Sequence, residues 1–253
     1  MSVTLRELHQ YCNELLETGR FRDYCPNGLQ VEGRGEVRKI AAAVTANQSV
    51  IDEAVAWGAD VLLVHHGYFW RGEDEPIVGM KRRRIAALIE ADMSLMAYHL
   101  PLDAHPELGN NAQLAARLGI EGAEPLDPDD RASVGNVATL ESPMSVSDLM
   151  EKVRAVTGRE PTVIGEMDTP LNRVAWCTGA AQGYIDKAVA AGADAYLSGE
   201  ISEPTFHAAI EQGIVYIAAG HHATERYGVQ ALAEHLAGHF SLEWQFFDCD
   251  NPV

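Results

Sequence analysis

The chain has 253 residues, with 19 lysines and arginines against 37 aspartates and glutamates and a formal net charge of −18. This acidic balance argues against a surface that neutralises nucleic-acid phosphates and favours small molecules, metal cations or proteins as ligands. No apolar stretch approaches the roughly 20 residues that span a bilayer, and the first residues lack a basic-then-apolar signal pattern. We therefore expect a cytoplasmic protein that needs no membrane, with one large domain or two modest ones.

Helical and strand patterns alternate along the first half of the chain, which is typical of an α/β fold. A capping box that begins at Thr4 predicts an amphipathic helix ending near Gly19. Further helices are predicted at 48–58 and 79–91, and a third that Asn110 or Asn111 caps runs to Leu118. Strands are predicted at 29–31, 39–45, 61–64 and 95–98. Because proline cannot continue a strand ladder, the segment His99–Asp103 is predicted to be irregular.

The apolar run Val61–Val64 ends abruptly in two adjacent histidines, His65 and His66, followed by Gly67. We interpret the run as a buried strand, so the histidines lie at its C-terminal edge, where open α/β sheets bind ligands. Neighbouring strand side chains point to opposite faces, and both histidines reach one centre only if the strand breaks. Gly67 permits that break.

An acidic segment with two prolines, residues 121–131, is predicted to connect two halves, 1–125 and 126–253. The second half is also predicted to alternate strands and helices. Its strands are expected at 134–140, 195–197 and 214–218, and a capping box at Ser145 begins a helix that ends at Gly158.

The second half repeats the letters of the first. Thr45 and the segment IDEAVAWGAD at 51–60 are matched by Thr178 and IDKAVAAGAD at 185–194, and both copies lead into an apolar strand. Later strands in the two halves are each followed by a histidine and, four residues on, a carboxylate. Two echoes in the same order favour an internal duplication that gives two similar α/β halves.

The candidate metal ligands share a position at, or just beyond, the C-terminal ends of predicted strands: His65, His66, Asp103, His221 and Glu225, with His99 and Glu200 as neighbours. Each feature alone has an ordinary structural explanation, such as histidines satisfied by backbone hydrogen bonds. Their combination at three strand ends favours a metal site. The i, i+4 spacing of His221 and Glu225 puts both side chains on one helical face.

Three imidazoles and two carboxylates suit zinc, iron, manganese, cobalt or nickel, whereas magnesium or calcium sites would be dominated by oxygen. Five protein ligands are more than one catalytic ion with a free coordination position would bind. They are too few to fill the coordination positions of two ions. We therefore predict two divalent ions per chain, bridged by a carboxylate and a water, with Glu225 preferred over Asp103 as the bridge because it reaches further. His65 and His66 are expected to bind different ions.

Two further features are open to two interpretations. The aromatic run Tyr68, Phe69 and Trp70 could stack on a flat ring beside the metals or be buried at a subunit contact. The basic run that contains Lys81, Arg82, Arg83 and Arg84 could hold a substrate phosphate, or form a solvated helix face or an interface ion pair.

The segments VHHGYFWRGE, YHLPLDAHPELGNNAQLA and AGHHATERYG resemble the dinuclear-metal-centre hexameric proteins known as GTP cyclohydrolase 1 type 2 homologues. The likeness covers essentially the whole chain, including NGLQVEG and SGEISEPTFHAA. The family pattern carries onto the five candidate ligands, and His99 matches a further histidine near the site. The resemblance implies two α/β halves with the metal pair between them, and a toroidal homohexamer with its sites facing an inner cavity.

The resemblance also implies a reaction. Metal-activated water would attack C8 of guanine, open the imidazole ring and release formate. Glu225 would bridge the ions, and His99 or Glu200 would supply a proton, so Glu225 and His99 are the predicted catalytic residues. The expected substrate is a nucleotide or a similar small phosphorylated heterocycle. Longer family members carry an inserted domain that this chain lacks, which puts functions of that insert in doubt here.

Two other functions compete with the hydrolase. A metal-handling or metal-delivery protein would use the same imidazole-rich site to store or transfer ions without substrate turnover. A ring-shaped scaffold for a protein or DNA partner is a third hypothesis, and the acidic charge disfavours DNA.

Overall fold

The apolar runs predicted as strands form two mixed sheets, one in each of two compact units of the chain. The computed structural model describes residues 2–253. The first unit comprises the chain up to Leu102 together with Gly228–Asp250, and the second comprises Asp103–Tyr227 with Asn251–Val253. The α/β fold class predicted from the sequence is confirmed.

The elements below are numbered in chain order. The strands are β1 (Val3–Thr4), β2 (Gly28–Val31), β3 (Glu36–Val37), β4 (Lys39–Thr45), β5 (Val61–His66), β6 (Ser94–Ala97), β7 (Glu124–Pro125), β8 (Asn136–Ser145), β9 (Thr162–Ile164), β10 (Pro170–Cys177), β11 (Ala195–Ser198), β12 (Val215–Ala218) and β13 (Glu243–Phe246). The α-helices are α1 (Leu5–Leu15), α2 (Gln48–Trp57), α3 (Gly79–Glu90), α4 (Leu100–Ala104), α5 (Asn110–Leu118), α6 (Val146–Thr157), α7 (Ile185–Ala190), α8 (Glu203–Gln212), α9 (His221–Thr224) and α10 (Arg226–Phe240). Short 3-10 turns lie at Thr18–Arg20 and Gln182–Tyr184.

The sheet of the first unit has the strand order β13-β4-β5-β6-β2. Strands β13, β4, β5 and β6 run parallel, and β2 closes the edge antiparallel to β6. The first five residues of β5 are all buried, as expected for a parallel strand covered on both faces. This arrangement puts the histidine end of β5 in the middle of the sheet edge.

The sheet of the second unit has the order β7-β8-β10-β11-β12-β9. Its centre is the parallel set β10, β11 and β12, flanked by antiparallel β8 and β9. A cluster of buried aliphatic side chains surrounds Trp176, which is 1% exposed. Both units thus contain three parallel strands joined by helices in the same order, which supports the duplication that we predict.

Helix ends follow the capping residues that the sequence indicates. Thr4 accepts a hydrogen bond from the Glu7 amide at the start of α1, and Ser145 and Asp148 form both halves of a capping box before α6. Helix α2 ends at Trp57 and is capped by Gly58, whose φ of 79° lies in the left-handed region that favours glycine. Helix α1 ends at Leu15, four residues before the predicted end, and a short 3-10 turn follows.

Two local predictions differ from the structure. The segment His99–Asp103, predicted to be irregular, contains the start of α4, because Pro101 sits in the first turn, where no amide donor is needed. The predicted connector at 121–131 contributes β7, which pairs with β8 inside the second unit.

The boundaries of the two units also differ from those of the predicted halves, 1–125 and 126–253. The physical reason is β13 near the end of the chain, which pairs with β4 in the first unit. Across residues 2–253, no helix combines the length and apolarity required to cross a bilayer.

Candidate metal centre

His65 is held in one tautomer at the end of β5. The side chain is fully buried, and its Nδ1 lies 2.8 Å from the carbonyl oxygen of Tyr98. Because a carbonyl oxygen only accepts hydrogen bonds, the ring proton sits on Nδ1 and the lone pair on Nε2. A histidine that ligates a metal through Nε2 has this arrangement.

His66 is half-buried and lies beside a threonine of the neighbouring strand. Its Nδ1 is 3.2 Å from Oγ1 of Thr45, the residue paired with it across β4 and β5. The centroids of the His65 and His66 rings are 4.6 Å apart. The strand breaks at Gly67, as predicted, but space rather than a left-handed φ requires glycine there. A Cβ on Gly67 would lie 2.7 Å from the Cβ of Ala97.

His99 forms a hydrogen-bonded pair with the carboxylate of Asp23, a residue that is not among the predicted site residues. Its Nδ1 lies 2.7 Å from Oδ1 of Asp23, whose carboxylate also accepts bonds from Nδ2 of Asn27 and the amide of Leu100. Burial opposes the charge on Asp23, yet the bonds from His99 and Asn27 hold the pKa of the carboxyl below its usual range. His65, His66 and His99 each offer a nitrogen, all within 4.8 Å of one another.

In the second unit, His221 lies between two carboxylates. It is the first residue of α9, and Glu225 follows the last one. Its Nδ1 is 2.7 Å from Oε1 of Glu200, and its Nε2 is 3.1 Å from Oε2 of Glu225, which confirms the predicted shared face. Burial opposes protonation, but the hydrogen bonds and charges of Glu225 and Glu200 raise the pKa of His221 to about 9.

Gly179 makes room for the carboxylate of Glu225. A Cβ at this position would lie 2.1 Å from Oε1 of Glu225 and 3.3 Å from Nε2 of His221, and the backbone φ is +69°. The Gly179 amide donates to Oγ1 of Thr224 at 3.1 Å. The Glu225 carboxylate, in a residue that is 2% exposed, therefore has a defined position.

Asp103 belongs to α4 and is oriented by buried polar groups. Its Oδ1 accepts a bond from Nδ2 of Asn110 at 2.9 Å and a longer one from the hydroxyl of Thr178 at 3.4 Å. Asp103 and Glu225 offer carboxylate oxygens within 4.8 Å of each other. Thr178 and Thr45, the two threonines of the repeated segments, thus each contact a predicted ligand within their own unit.

Asn111 joins three segments of the second unit. Asn110 or Asn111 is the predicted helix cap, but Gly109 occupies that position and both asparagines are fully buried. The side-chain amide of Asn111 donates to the carbonyl oxygens of Asp103 and Val134, and its Oδ1 accepts from the Thr178 amide. The sequence offers only a weak signal for this role, two adjacent asparagines at the start of the helix.

We expect Asn111→Ala to lower the free energy of unfolding by about 2–4 kcal/mol, because it leaves buried backbone groups without partners. Denaturant unfolding measures the change. The matched control is Asn136→Ala, which removes one bond from a half-exposed side chain to the Glu124 carbonyl oxygen and should cost less than about 1 kcal/mol. Equal losses in the two variants would contradict the structural role of Asn111.

The residues of the aromatic run and of the basic run differ in their burial and contacts. Tyr68 is buried and donates to the carbonyl oxygen of Ala46, whereas the Trp70 ring lies 5.0 Å from that of His99 and 5.9 Å from that of His66. Trp70 is therefore the aromatic residue beside the histidines. Lys81 binds Glu73 at 3.2 Å, and Arg82 and Arg83 are exposed.

The donor sets of both units fit divalent transition-metal ions. In the first unit, two adjacent imidazoles have Nδ1 beside a hydrogen-bonding group, and with His99 they offer three nitrogens within 4.8 Å of one another. In the second unit, one imidazole and two buried carboxylates stand close together. Nitrogen and oxygen donors in this mixture match zinc, iron, manganese, cobalt or nickel.

Comparison with known proteins identifies the family. The family model described as Duf34/NIF3 (NGG1p interacting factor 3) matches residues 3–252. The chain belongs to the Duf34/NIF3 family. Two relatives within it, from Pseudomonas aeruginosa and Escherichia coli, bear the name GTP cyclohydrolase 1 type 2 homolog. The first is 55% identical over the full length of both chains, and the second is 50% identical over 98% of each. The predicted resemblance is confirmed.

Solved structures extend the Duf34/NIF3 likeness to both units. The protein ybgI, described as of unknown function, is 48% identical with a TM-score of 0.93, covering 99% of this chain and 100% of its own. A protein from Thermus thermophilus is 37% identical with a TM-score of 0.90 over the same shares. Reduced HcgD from Methanocaldococcus jannaschii is 25% identical with a TM-score of 0.84 over 99% of each chain. Both units therefore have the Duf34/NIF3 fold.

Proposed function

We propose that this Duf34/NIF3 protein is a dinuclear-metal-dependent hydrolase of a nucleotide-like substrate. The proposed metal ligands are the five residues predicted from the sequence: His65, His66, Asp103, His221 and Glu225. The resemblance to hexameric proteins supports assembly as a homohexamer.

One observation carries the proposal. Histidines that bind metals through one nitrogen usually donate from the other to a backbone carbonyl or a carboxylate. His65 makes such a hydrogen bond to the backbone carbonyl of Tyr98, and His221 makes one to the carboxylate of Glu200. These hydrogen bonds support the assignment of both histidines as metal ligands.

The chain's own residues then define the chemistry. Bound divalent ions would supply an activated water nucleophile and polarise a substrate oxygen. Asp23 holds the Nδ1 proton of His99, so Nε2 is the nitrogen that exchanges a proton with the substrate. The Trp70 ring, next to His99 and His66, offers a surface on which a heterocycle stacks.

Metal analysis of the purified full-length protein tests the ligand assignment. We expect about two ions per wild-type chain and a loss of metal in Glu225→Gln, because the amide replaces a charged donor. Glu203→Gln is the control, since Glu203 is exposed and pairs only with His207. Formate release from GTP and related nucleotides by the loaded protein then tests the reaction. One ion or none in the wild type, or unchanged metal in Glu225→Gln, would contradict the proposal.

A second donor group favours the alternative of metal handling. Asp23, Cys25 and His99 offer ligand atoms within 4.8 Å of one another, and His99 is shared with the His65 and His66 group. Burial, reinforced by the charge of Asp23, raises the pKa of the Cys25 thiol to about 12, which disfavours the thiolate. We therefore prefer the hydrolase. Metal transfer to a chelator that slows in Cys25→Ser, without nucleotide turnover in the wild type, would reverse this preference.

A further inference from the structure

Arg159 is a half-buried arginine whose guanidinium group has no counterion among residues 2–253. Its Nη1 is buried and makes no hydrogen bond. Arg154, five residues earlier, instead forms an ion pair with Glu160. Buried donors normally have partners, and the chain has a net charge of −18, so carboxylates are plentiful. A cation left unpaired in such a chain indicates a ligand that supplies the negative charge.

The topology places Arg159 at the same sheet edge as His221. Arg159 lies between α6 and β9, and β9 pairs antiparallel with β12, with Thr162 opposite Ala218. The chain just before β9 therefore lies beyond the carboxyl end of β12, next to Gly220. An added Cβ on Gly220 would meet Nη1 of Arg159 at 2.5 Å, and the glycine φ is +99°. The guanidinium group thus packs against the backbone of Gly220, the residue directly before His221.

Gln182 supplies a second buried polar atom without a partner at this edge. Its Oε1 accepts no hydrogen bond, while its Nε2 donates at 3.4 Å to Oε2 of Glu200. The other oxygen of Glu200 binds His221. A donor and an acceptor in need of partners therefore lie with the His221 and Glu200 pair at the carboxyl edge of parallel strands, where open α/β sheets bind ligands.

We propose that Arg159 binds a phosphate group of the substrate. The planar guanidinium presents paired donors that match the oxygens of a phosphate, and such charge-assisted bonds are among the strongest hydrogen bonds. The inference rests on the proposed function, because His221 and Glu225 define where the reacting part of the same substrate lies. It adds a named residue of this chain for the phosphate group of that substrate.

Isothermal titration of zinc-loaded full-length protein with inorganic phosphate, GMP and guanosine tests the inference. We expect Arg159→Gln to weaken GMP binding by about tenfold or more and to leave guanosine binding unchanged. Arg159→Lys keeps the charge but loses the paired donors, so we expect an intermediate loss. Arg154→Gln is the matched control from the same segment and should leave the Kd for GMP unchanged. Phosphate binding that also depends on Arg159 would show that the anion alone is sufficient.

Two results would overturn the inference: no difference between Arg159→Gln and Arg154→Gln, or an equal loss of GMP and guanosine binding in Arg159→Gln. Metal analysis of every sample separates this inference from the proposed function. If the protein binds two ions per chain but GMP binding does not depend on Arg159, only the inference about Arg159 is contradicted. If GMP binding depends on Arg159 but the protein retains no metal, only the proposed metal site is contradicted.

Discussion

Replacing Gly179 with alanine should strongly weaken metal binding at the proposed second-unit ligands while the protein still folds. The new methyl group would lie 2.1 Å from Oε1 of Glu225, far inside van der Waals contact. Glu225 is 2% exposed, so its carboxylate must leave its present position to avoid the methyl group. The backbone φ of +69° adds roughly 1 kcal/mol of strain for a residue other than glycine. We expect metal affinity to fall on the order of 100-fold, the size seen when the groups that orient metal ligands are disrupted.

Gly183→Ala is the matched control for this experiment. Gly183 lies four residues further on, is exposed, and has no atom within 4 Å of an added Cβ. Zinc titration against a competing chelator should give the wild-type affinity for Gly183→Ala and the large loss for Gly179→Ala. Wild-type affinity in Gly179→Ala would show that the Glu225 carboxylate is not a ligand in the position described above.

The stability of the metal-free protein should fall as the pH rises from about 6.5 to about 9. Glu225 and Glu200 raise the pKa of His221 from its usual 6.5 to about 9 in the folded chain. A raised folded pKa means that the native state binds the proton more tightly than the unfolded state. The stabilisation is therefore complete below pH 6.5 and is lost as the pH passes through 9. Its size is on the order of 2–3 kcal/mol, because the side chain is 27% exposed and partly screened.

Metal binding should show the opposite trend in the same range. An ion at Nε2 of His221 must displace the proton held there, so the apparent affinity rises with pH up to about 9. Denaturant unfolding of the metal-free protein and zinc titrations, both between pH 6 and 9.5, measure the two trends.

The variant His221→Asn tests the assignment of both trends, and His207→Asn is its control, because His207 is exposed and pairs with the exposed carboxylate of Glu203. The pH dependence should disappear in the first variant and persist in the second. A wild-type pH profile in His221→Asn would assign the dependence to another group.

The fold could be predicted where local physics decides the structure. Strand β4 has the predicted bounds because an uninterrupted apolar run of this length fits a strand buried on both faces. The capping residues of α2 and α6 set helix limits within a residue of those predicted. The short α4 could not be predicted in this way, because Pro101 marks a strand end and the first turn of a helix equally well.

The ligand types at the strand ends were visible in the sequence, but the groups that hold them were not. Asp23 binds His99 from 76 residues away, and Thr178 reaches Asp103 from 75 residues away, so no local pattern connects either pair. Asp23 sits in a segment whose proline, asparagine and glycine indicate a turn, which masks the buried carboxylate. Long-range side-chain hydrogen bonds are a product of the topology, and they emerge only when the sheets are assembled.

The strand β13 has a consequence for synthesis of the chain. The chain leaves the first unit within α4, builds the second unit, and returns within α10 to place β13 beside β4. During translation the main part of the second unit, Asp103–Tyr227, is therefore made before the last strand of the first unit. Until then β4 presents an open, largely apolar edge to the cell, which is the kind of edge that recruits strands from other chains. Chaperone protection of nascent chains is thus most needed for the unit that begins the sequence.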